Sequence, residues 1–188
     1  MKSPIISWKL REAARCFNSG GLIAYPTEAV YGLGCDPLNQ QSMERLLNLK
    51  QRPIEKGVIL IAADFQQLLP FIQPLDDPSM KNVLDSWPGP NTWLLPAADN
   101  LPFWLTGVHS TLAVRVTDHP VAKALCQACG SPIVSTSANR SGQHPARSAL
   151  QVRKRLGEGV DCIVTAPLGG NQSPSTIRDA ATGQVIRG

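Results

Sequence analysis

Leu22-Ile23-Ala24-Tyr25-Pro26-Thr27-Glu28-Ala29-Val30-Tyr31-Gly32-Leu33-Gly34-Cys35 is a pair of short apolar runs joined by a proline and two polar residues. Leu22–Tyr25 reads as a strand that stops at Pro26, whose ring removes a backbone donor. Val30–Cys35 reads as a second strand, and its Gly32-Leu33-Gly34 alternation predicts close packing against another backbone. Thr27 and Glu28 then sit at the ends of two buried strands. Such loops usually carry the chemistry of an α/β protein.

Working outward, Trp8–Asn18 reads as a helix capped by Ser7 and ended by Gly20-Gly21. Ser42–Lys50 places Met43, Leu46 and Leu47 at helical spacing. Val58–Ala62 is a continuous apolar run, as in a buried central strand. Helical stretches near Asp64–Phe71 and Pro78–Ser86 precede a loop at Pro88–Pro90 and a strand at Thr92–Leu95. A strand at Thr111–Val116, a helix at Pro120–Cys129 and a strand at Pro132–Ser135 follow, then the polar segment Thr136–Gly142. Ser148-Ala149-Leu150-Gln151 fits a capping box for a helix that ends near Gly157. Cys162–Thr165, Thr176–Arg178 and Val185–Arg187 read as closing strands. Strands and helices interleave, yet several strands follow one another through tight loops. That favours an α/β fold with an open mixed sheet over a purely parallel one. With no repeat or linker, the 188 residues are expected to form one domain, 1–188.

Composition sets the class. An apolar fraction of 43% with 17% charged residues is that of a folded protein. A net charge of +4 permits an anionic ligand or RNA and requires neither. Five cysteines without regular spacing argue against a disulfide framework. Cys126 and Cys129 lie on a helix that lacks the second pair or spaced histidines of a zinc site, so no metal ligand is assigned. Lys9, Arg11, Glu12 and Arg15 interrupt the first segment, which is unlike a signal peptide. No apolar run approaches the ~20 residues of a membrane span. A soluble, cytoplasmic protein without membrane contact is expected.

The common nucleotide and hydrolase motifs are missing. What remains is a set of polar clusters at strand or helix ends: Pro26-Thr27-Glu28, Lys50-Gln51-Arg52-Pro53, Ser135 to Gly142, and Ser173-Pro174-Ser175-Thr176. Lys50 and Arg52 can neutralise phosphate oxygens, Lys as a point charge and Arg as a fork. Ser137, Asn139 and Ser141 offer neutral ligands to phosphate or to its Mg²⁺. Arg115 interrupts the apolar run Leu112–Val116, where an unpaired guanidinium is costly; it can clamp a carboxylate, or pair with Asp118 or Glu28. Each cluster also has a plainer reading, as helix-end charges or turn caps. There is no nucleophile–base pair, so catalysis by positioning and charge stabilisation is expected.

The same residues carry a specific likeness. Pro26 to Leu33 resembles the P-T-[ED]-T-V-Y-G-L signature of the threonylcarbamoyl-AMP synthase family, also called YrdC/TsaC. Lys50-Gln51-Arg52-Pro53 is similar to its K-x-R-P motif, Pro88 to Thr92 to P-G-P-x-T, Ser137 to Gly142 to S-A-N-x-S-G, and Ser175-Thr176-Ile177 to S-T-[IV]. The resemblance implies a YrdC-like fold with a concave basic face. It implies that threonine and bicarbonate form a carbamate that attacks the α-phosphorus of ATP, releasing pyrophosphate. Threonylcarbamoyl-AMP then passes to partner proteins that modify tRNA. By the same resemblance Lys50 and Arg52 are catalytic and, with Ser137 and Asn139, bind ATP, whose Mg²⁺ is held mainly through the phosphates. Thr27, Arg115 and Ser175 bind threonine, Arg115 taking its carboxylate.

Two departures stand out: Ala29 replaces the commoner Thr, and Lys56-Gly57 replaces Lys-Pro, which predicts a more mobile loop after Arg52. The chain's end at Gly188 suits the short, single-domain branch. The rival reading is a module for structured or double-stranded RNA in ribosomal RNA maturation, resting on Arg140, Arg147, Arg153, Lys154 and Arg155. Its weakness is an aromatic content of 5%, which leaves few bases to be stacked.

Overall fold

The computed structural model of the protein describes residues 4–187. Helix α1 (Pro4–Asn18) begins earlier than expected, so Ser7 lies inside it rather than at its cap. Pro4 suits the first turn, where its missing N–H has no intrahelical acceptor to lose.

Strand β1 (Ile23–Pro26) pairs antiparallel with β2 (Tyr31–Gly34), Pro26 opposite Tyr31. Two very short strands flank this hairpin, β7 (Thr136–Ser137) against β2 and β8 (Cys162–Ile163) parallel to β1. The other strands are β3 (Ile59–Ala62), β4 (Asn91–Pro96), β5 (Thr111–Val116), β6 (Ile133–Val134), β9 (Thr176–Asp179) and β10 (Val185–Arg187). They form a second sheet in the order β10-β9-β4-β5-β3-β6, with β3/β5 and β4/β9 parallel and the other pairs antiparallel. The expected mixed α/β architecture is therefore present, divided between two sheets. The chain crosses from one to the other at Ser135, which alone separates β6 from β7. Ser135 N still donates to Ile59 O at 2.7 Å, and Val134 N to Cys35 O at 3.1 Å, which stitches the two sheets together at this step.

Close backbone packing occurs where the glycines predicted it. A Cβ on Gly34 would collide with the Val134 carbonyl oxygen, and one on Gly32 would press on the Tyr25 ring. Side-chain alternation then assigns each face. Ile23, Tyr25, Ile61 and Ile133 pack with Leu10, Ala13 and Phe17 of α1 and with Val121, Leu125 and Cys126 of α5 (Pro120–Cys129). Leu22, Ala24, Leu60, Ala62, Leu112 and Val114 face the other way. There they meet Met43, Leu46 and Leu47 of α2 (Gln40–Lys50), Met80 and Val83 of α3 (Asp77–Asp85), and Val152 and Leu156 of α6 (Ala149–Leu156). Each fully buried aliphatic side chain contributes about 1.5–3 kcal/mol by leaving water.

Of the expected N-caps, Ser148 is found and Ser7 is not; α2 has a cap that was not foreseen. Asn39 caps α2, accepting from Ser42 N at 3.0 Å. Ser148 caps α6 through Gln151 N, but Gln151 Oε1 reaches back to Arg147 N rather than to Ser148, so the box is displaced by one residue. The Asp64–Phe71 segment is a 3-10 helix over Gln66–Phe71, containing Pro70. One-turn α4 (Phe103–Thr106) was not anticipated, because four residues are too few to show a period. The five cysteines are free thiols, Cys35 and Cys126 buried in the core. Among the described residues no helix is long and apolar enough to cross a membrane.

Candidate functional site

The step at Ser135 leaves a cavity of about 470 Å³ between the β1–β2 turn, the end of α2 and the β7 loop. Thr27, Lys50, Arg52, Arg115, Ser137, Asn139 and Ser175, all seven expected site residues, line it. Pairs as distant in sequence as Thr27 and Ser175 meet here because the elements carrying them end at one place.

Lys50 closes α2 and is 3% exposed. Its Nζ donates to the carbonyl oxygens of Ser137 and of Asn139, the latter at 2.8 Å. Its own carbonyl oxygen accepts from Ser141 N at 2.8 Å. Lys50 thus builds the Ser137–Ser141 loop as well as charging it, with one ammonium hydrogen beyond those two bonds. Burial, and then the Arg52 guanidinium, push its pKa down to about 8.

Gln51 turns the chain in the left-handed region at φ 52°, placing Arg52 beside the cavity. Arg52 Nη2 donates to Gly57 O at 2.8 Å and Nε to the same oxygen at 3.2 Å. Gly57 has φ 55°, which proline cannot adopt. A Cβ there would also meet Thr106 O at 2.7 Å. The glycine at this departure from the family pattern therefore serves a pinned turn, held by Arg52. Burial and Arg187 lower the Arg52 pKa. Arg187 and Lys56 also line the cavity; the sequence reading placed them in a closing strand and in the loop after Arg52 and assigned neither to the site.

Asn139 is 8% exposed, and its Nδ2 donates to Arg140 O at 2.9 Å and Gln143 O at 2.7 Å. Two carbonyl acceptors fix the amide orientation, leaving Oδ1 buried without a donor among the described residues. An orphaned acceptor costs about 1–3 kcal/mol unless a ligand supplies the partner. Opposite, Ser175 Oγ and Thr92 Oγ1 share a hydrogen at 2.9 Å.

Thr27 Oγ1 donates to Val30 O at 2.7 Å, capping its turn and facing the cavity at once. Of the two partners open to Arg115 within the protein, Glu28 is the one it takes, Nη1 to Oε2 at 3.0 Å. Burial alone would raise the Glu28 carboxyl; Arg115 and the Thr117 hydroxyl outweigh it and hold it below its ordinary value. Ala29 lines the cavity with a methyl group where the family pattern has a hydroxyl.

The lining carries Lys50, Arg52, Lys56, Arg115 and Arg187 against the single carboxylate of Glu28. That balance suits a polyanion. No cluster of His, Cys, Asp or Glu able to hold a metal ion occurs among the described residues. Away from the cavity, the basic stretch of α6 is ordinary: Arg155 Nη1 donates to His144 O at 2.6 Å and Pro145 O at 3.0 Å. Arg153 and Lys154 are exposed at the helix C-terminus, where cations complement the helix dipole.

Residues 15–188 match the Sua5/YciO/YrdC family model, described as "Telomere recombination". The threonylcarbamoyl-AMP synthase of Pseudoalteromonas translucida is 53% identical over 178 residues, covering 94% of this chain and 95% of that one. The enzyme of the same name from Coxiella burnetii is 48% identical over 178 residues, covering 95% and 96%. Among solved structures, P. abyssi Sua5 complexed with L-threonine superposes with a TM-score of 0.86 at 34% identity. The match covers 92% of this chain and 51% of that one, so this chain spans about half of the longer protein.

Proposed function

The chain belongs to the Sua5/YciO/YrdC family, and from that premise we propose that it is a threonylcarbamoyl-AMP synthase. It is a nucleotidyltransferase that joins L-threonine, bicarbonate and ATP and releases pyrophosphate. The observation that carries this reading is the convergence of Lys50, Arg52, Arg115, Ser137, Asn139 and Ser175 on one cavity rich in cations.

The threonine amine and bicarbonate condense to a carbamate, losing water. A carbamate oxygen then attacks the α-phosphorus, and the bond to the pyrophosphate oxygen breaks. Charge grows on the leaving pyrophosphate, which Arg52 and the last hydrogen of Lys50 would neutralise. Ser137 and the loop held by Lys50 would line the phosphates. Mg²⁺ would be held mainly through those phosphates; Asn139 Oδ1, a neutral buried oxygen without a donor, suits such an ion or a ligand N–H. Thr27 and Ser175 would receive the threonine, with Arg115 on its carboxylate. With the reactants held together, positioning replaces a nucleophilic side chain. The product, a mixed anhydride, would pass in the cytoplasm to proteins that modify tRNA.

Purified protein incubated with ATP and bicarbonate should release pyrophosphate only when L-threonine is added. Equal release without threonine, or none with it, would refute the assignment.

A further inference from the structure

Arg115 belongs to β5, opposite Ile61 of β3, and is 6% exposed. A guanidinium on an apolar sheet face needs a fixed counter-charge to stay in one orientation. Glu28 supplies it from the β1–β2 turn and is itself 5% exposed. The carboxylate is held at Oε1, which accepts from Thr117 Oγ1 at 2.6 Å, while Oε2 forms an ion pair with Arg115 Nη1 at 3.0 Å but has no hydrogen-bond donor among the described residues. Thr117 is fully buried, and its hydroxyl oxygen accepts from His119 N at 3.2 Å, which directs its hydrogen toward Glu28.

The turn is also braced from outside. Gly169 N donates to Thr27 O at 3.1 Å, and Asn171 N to Glu28 O at 2.9 Å. Meanwhile Arg115 keeps unspent capacity: its Nε is buried with no acceptor among the described residues. A fixed counter-charge at Nη1 and an unmet donor at Nε leave the guanidinium with capacity for a second carboxylate.

We propose that Glu28 is a positioning residue: held by Thr117, it orients the Arg115 guanidinium toward the carboxylate of the amino-acid substrate. This rests on the reading above that Arg115 binds threonine. Glu28 touches no reacting atom and acts through Arg115. It sets affinity for the amino acid and leaves the triphosphate end of the cavity alone.

Steady-state pyrophosphate release by Glu28→Gln, Thr117→Val and Arg115→Gln, with KM measured separately for threonine and ATP, tests this. Gln keeps the shape and can still accept from Thr117, but turns a donor toward Arg115. Glu28→Gln should raise KM for threonine about tenfold or more while KM for ATP stays within about twofold. Thr117→Val, isosteric and leaving the ion pair in place, should raise KM for threonine about threefold. A merely structural role would move both KM values together, and that result overturns the proposal. So does an unchanged threonine KM in Glu28→Gln. If Glu28→Gln does not fold, Thr117→Val decides: an unchanged threonine KM sinks the proposal. An Arg115→Gln variant with normal threonine KM would instead remove the underlying threonine assignment.

Discussion

Lys50 is the residue on which most of the site converges. Its ammonium is buried, shared by two carbonyl oxygens and lowered to about 8. If the charged form receives the triphosphate, kcat/KM for ATP should fall as pH rises through about 8, because that ratio reports the free enzyme. The bound phosphates favour the ammonium, so the limb in kcat should lie at higher pH. A flat kcat/KM profile from neutral pH to about 10 would take Lys50 out of phosphate binding. Lys50→Ala and Arg52→Ala should each abolish turnover while keeping native circular dichroism; near-normal activity in both would exclude them from the site. Gly169 offers a contrasting test, since its backbone is not in the left-handed region and any cost must be steric. A Cβ there would lie 2.9 Å from Glu28 Cα. Gly169→Ala should therefore shift the turn, lower stability by about 1–3 kcal/mol and raise KM for threonine. Unchanged kinetics would show that the turn has slack.

At the scale of elements, α5 is expected to respond to pH. His119 caps it: Nδ1 accepts from Ala122 N at 3.4 Å, and Nε2 lies 3.1 Å from Pro167 O. Burial, outweighing the nearby carboxylates, lowers its pKa below the ordinary 6.5. The native state then favours the neutral ring, and below about pH 6.5 the unfolded chain binds the extra proton. Stability from this group is complete above that pH and is lost as pH falls toward the lower, folded-state pKa. Urea midpoints near pH 7.5 and pH 5.5 should differ less in His119→Asn, which keeps a capping oxygen, than in the wild type. Equal differences would exclude His119. Helix α2 depends on its apolar face, so Leu46→Ala should cost about 2–5 kcal/mol; a loss under about 1 kcal/mol would mean that the core closes over the gap.

Elements with a strong period were legible from residues alone. Met43, Leu46 and Leu47 marked α2, and Gly32 and Gly34 marked a backbone approach that the fold then uses. What escaped was either too short or decided by tertiary contact. Strand β7 is two residues of polar sequence, made a strand by pairing with β2. The division into two sheets turns on Ser135, whose neighbours give no sign of it. Of the site, the motifs named the residues, and the sequence offered some of their structural duties only as alternatives to a place in the site. Lys50 holds a loop, Thr27 caps a turn and Arg115 is already paired. The turn cap at Thr27 and the Arg115–Glu28 pair were among the plainer readings of the sequence; what spacing alone had no means of revealing is that the same side chains also line one cavity.

At the scale of the whole molecule, loop and strand ends from opposite parts of the chain meet where its two sheets abut. That geometry, rather than any single motif, is what would let a polyphosphate and an amino acid lie side by side. A crystal of the protein grown with L-threonine and a non-hydrolysable ATP analogue examines this directly. The account predicts both ligands in the one cavity, the phosphates against Arg52 and the Ser137–Ser141 loop and the amino-acid carboxylate on Arg115. Density for either ligand elsewhere on the surface, with this cavity holding solvent alone, would contradict it.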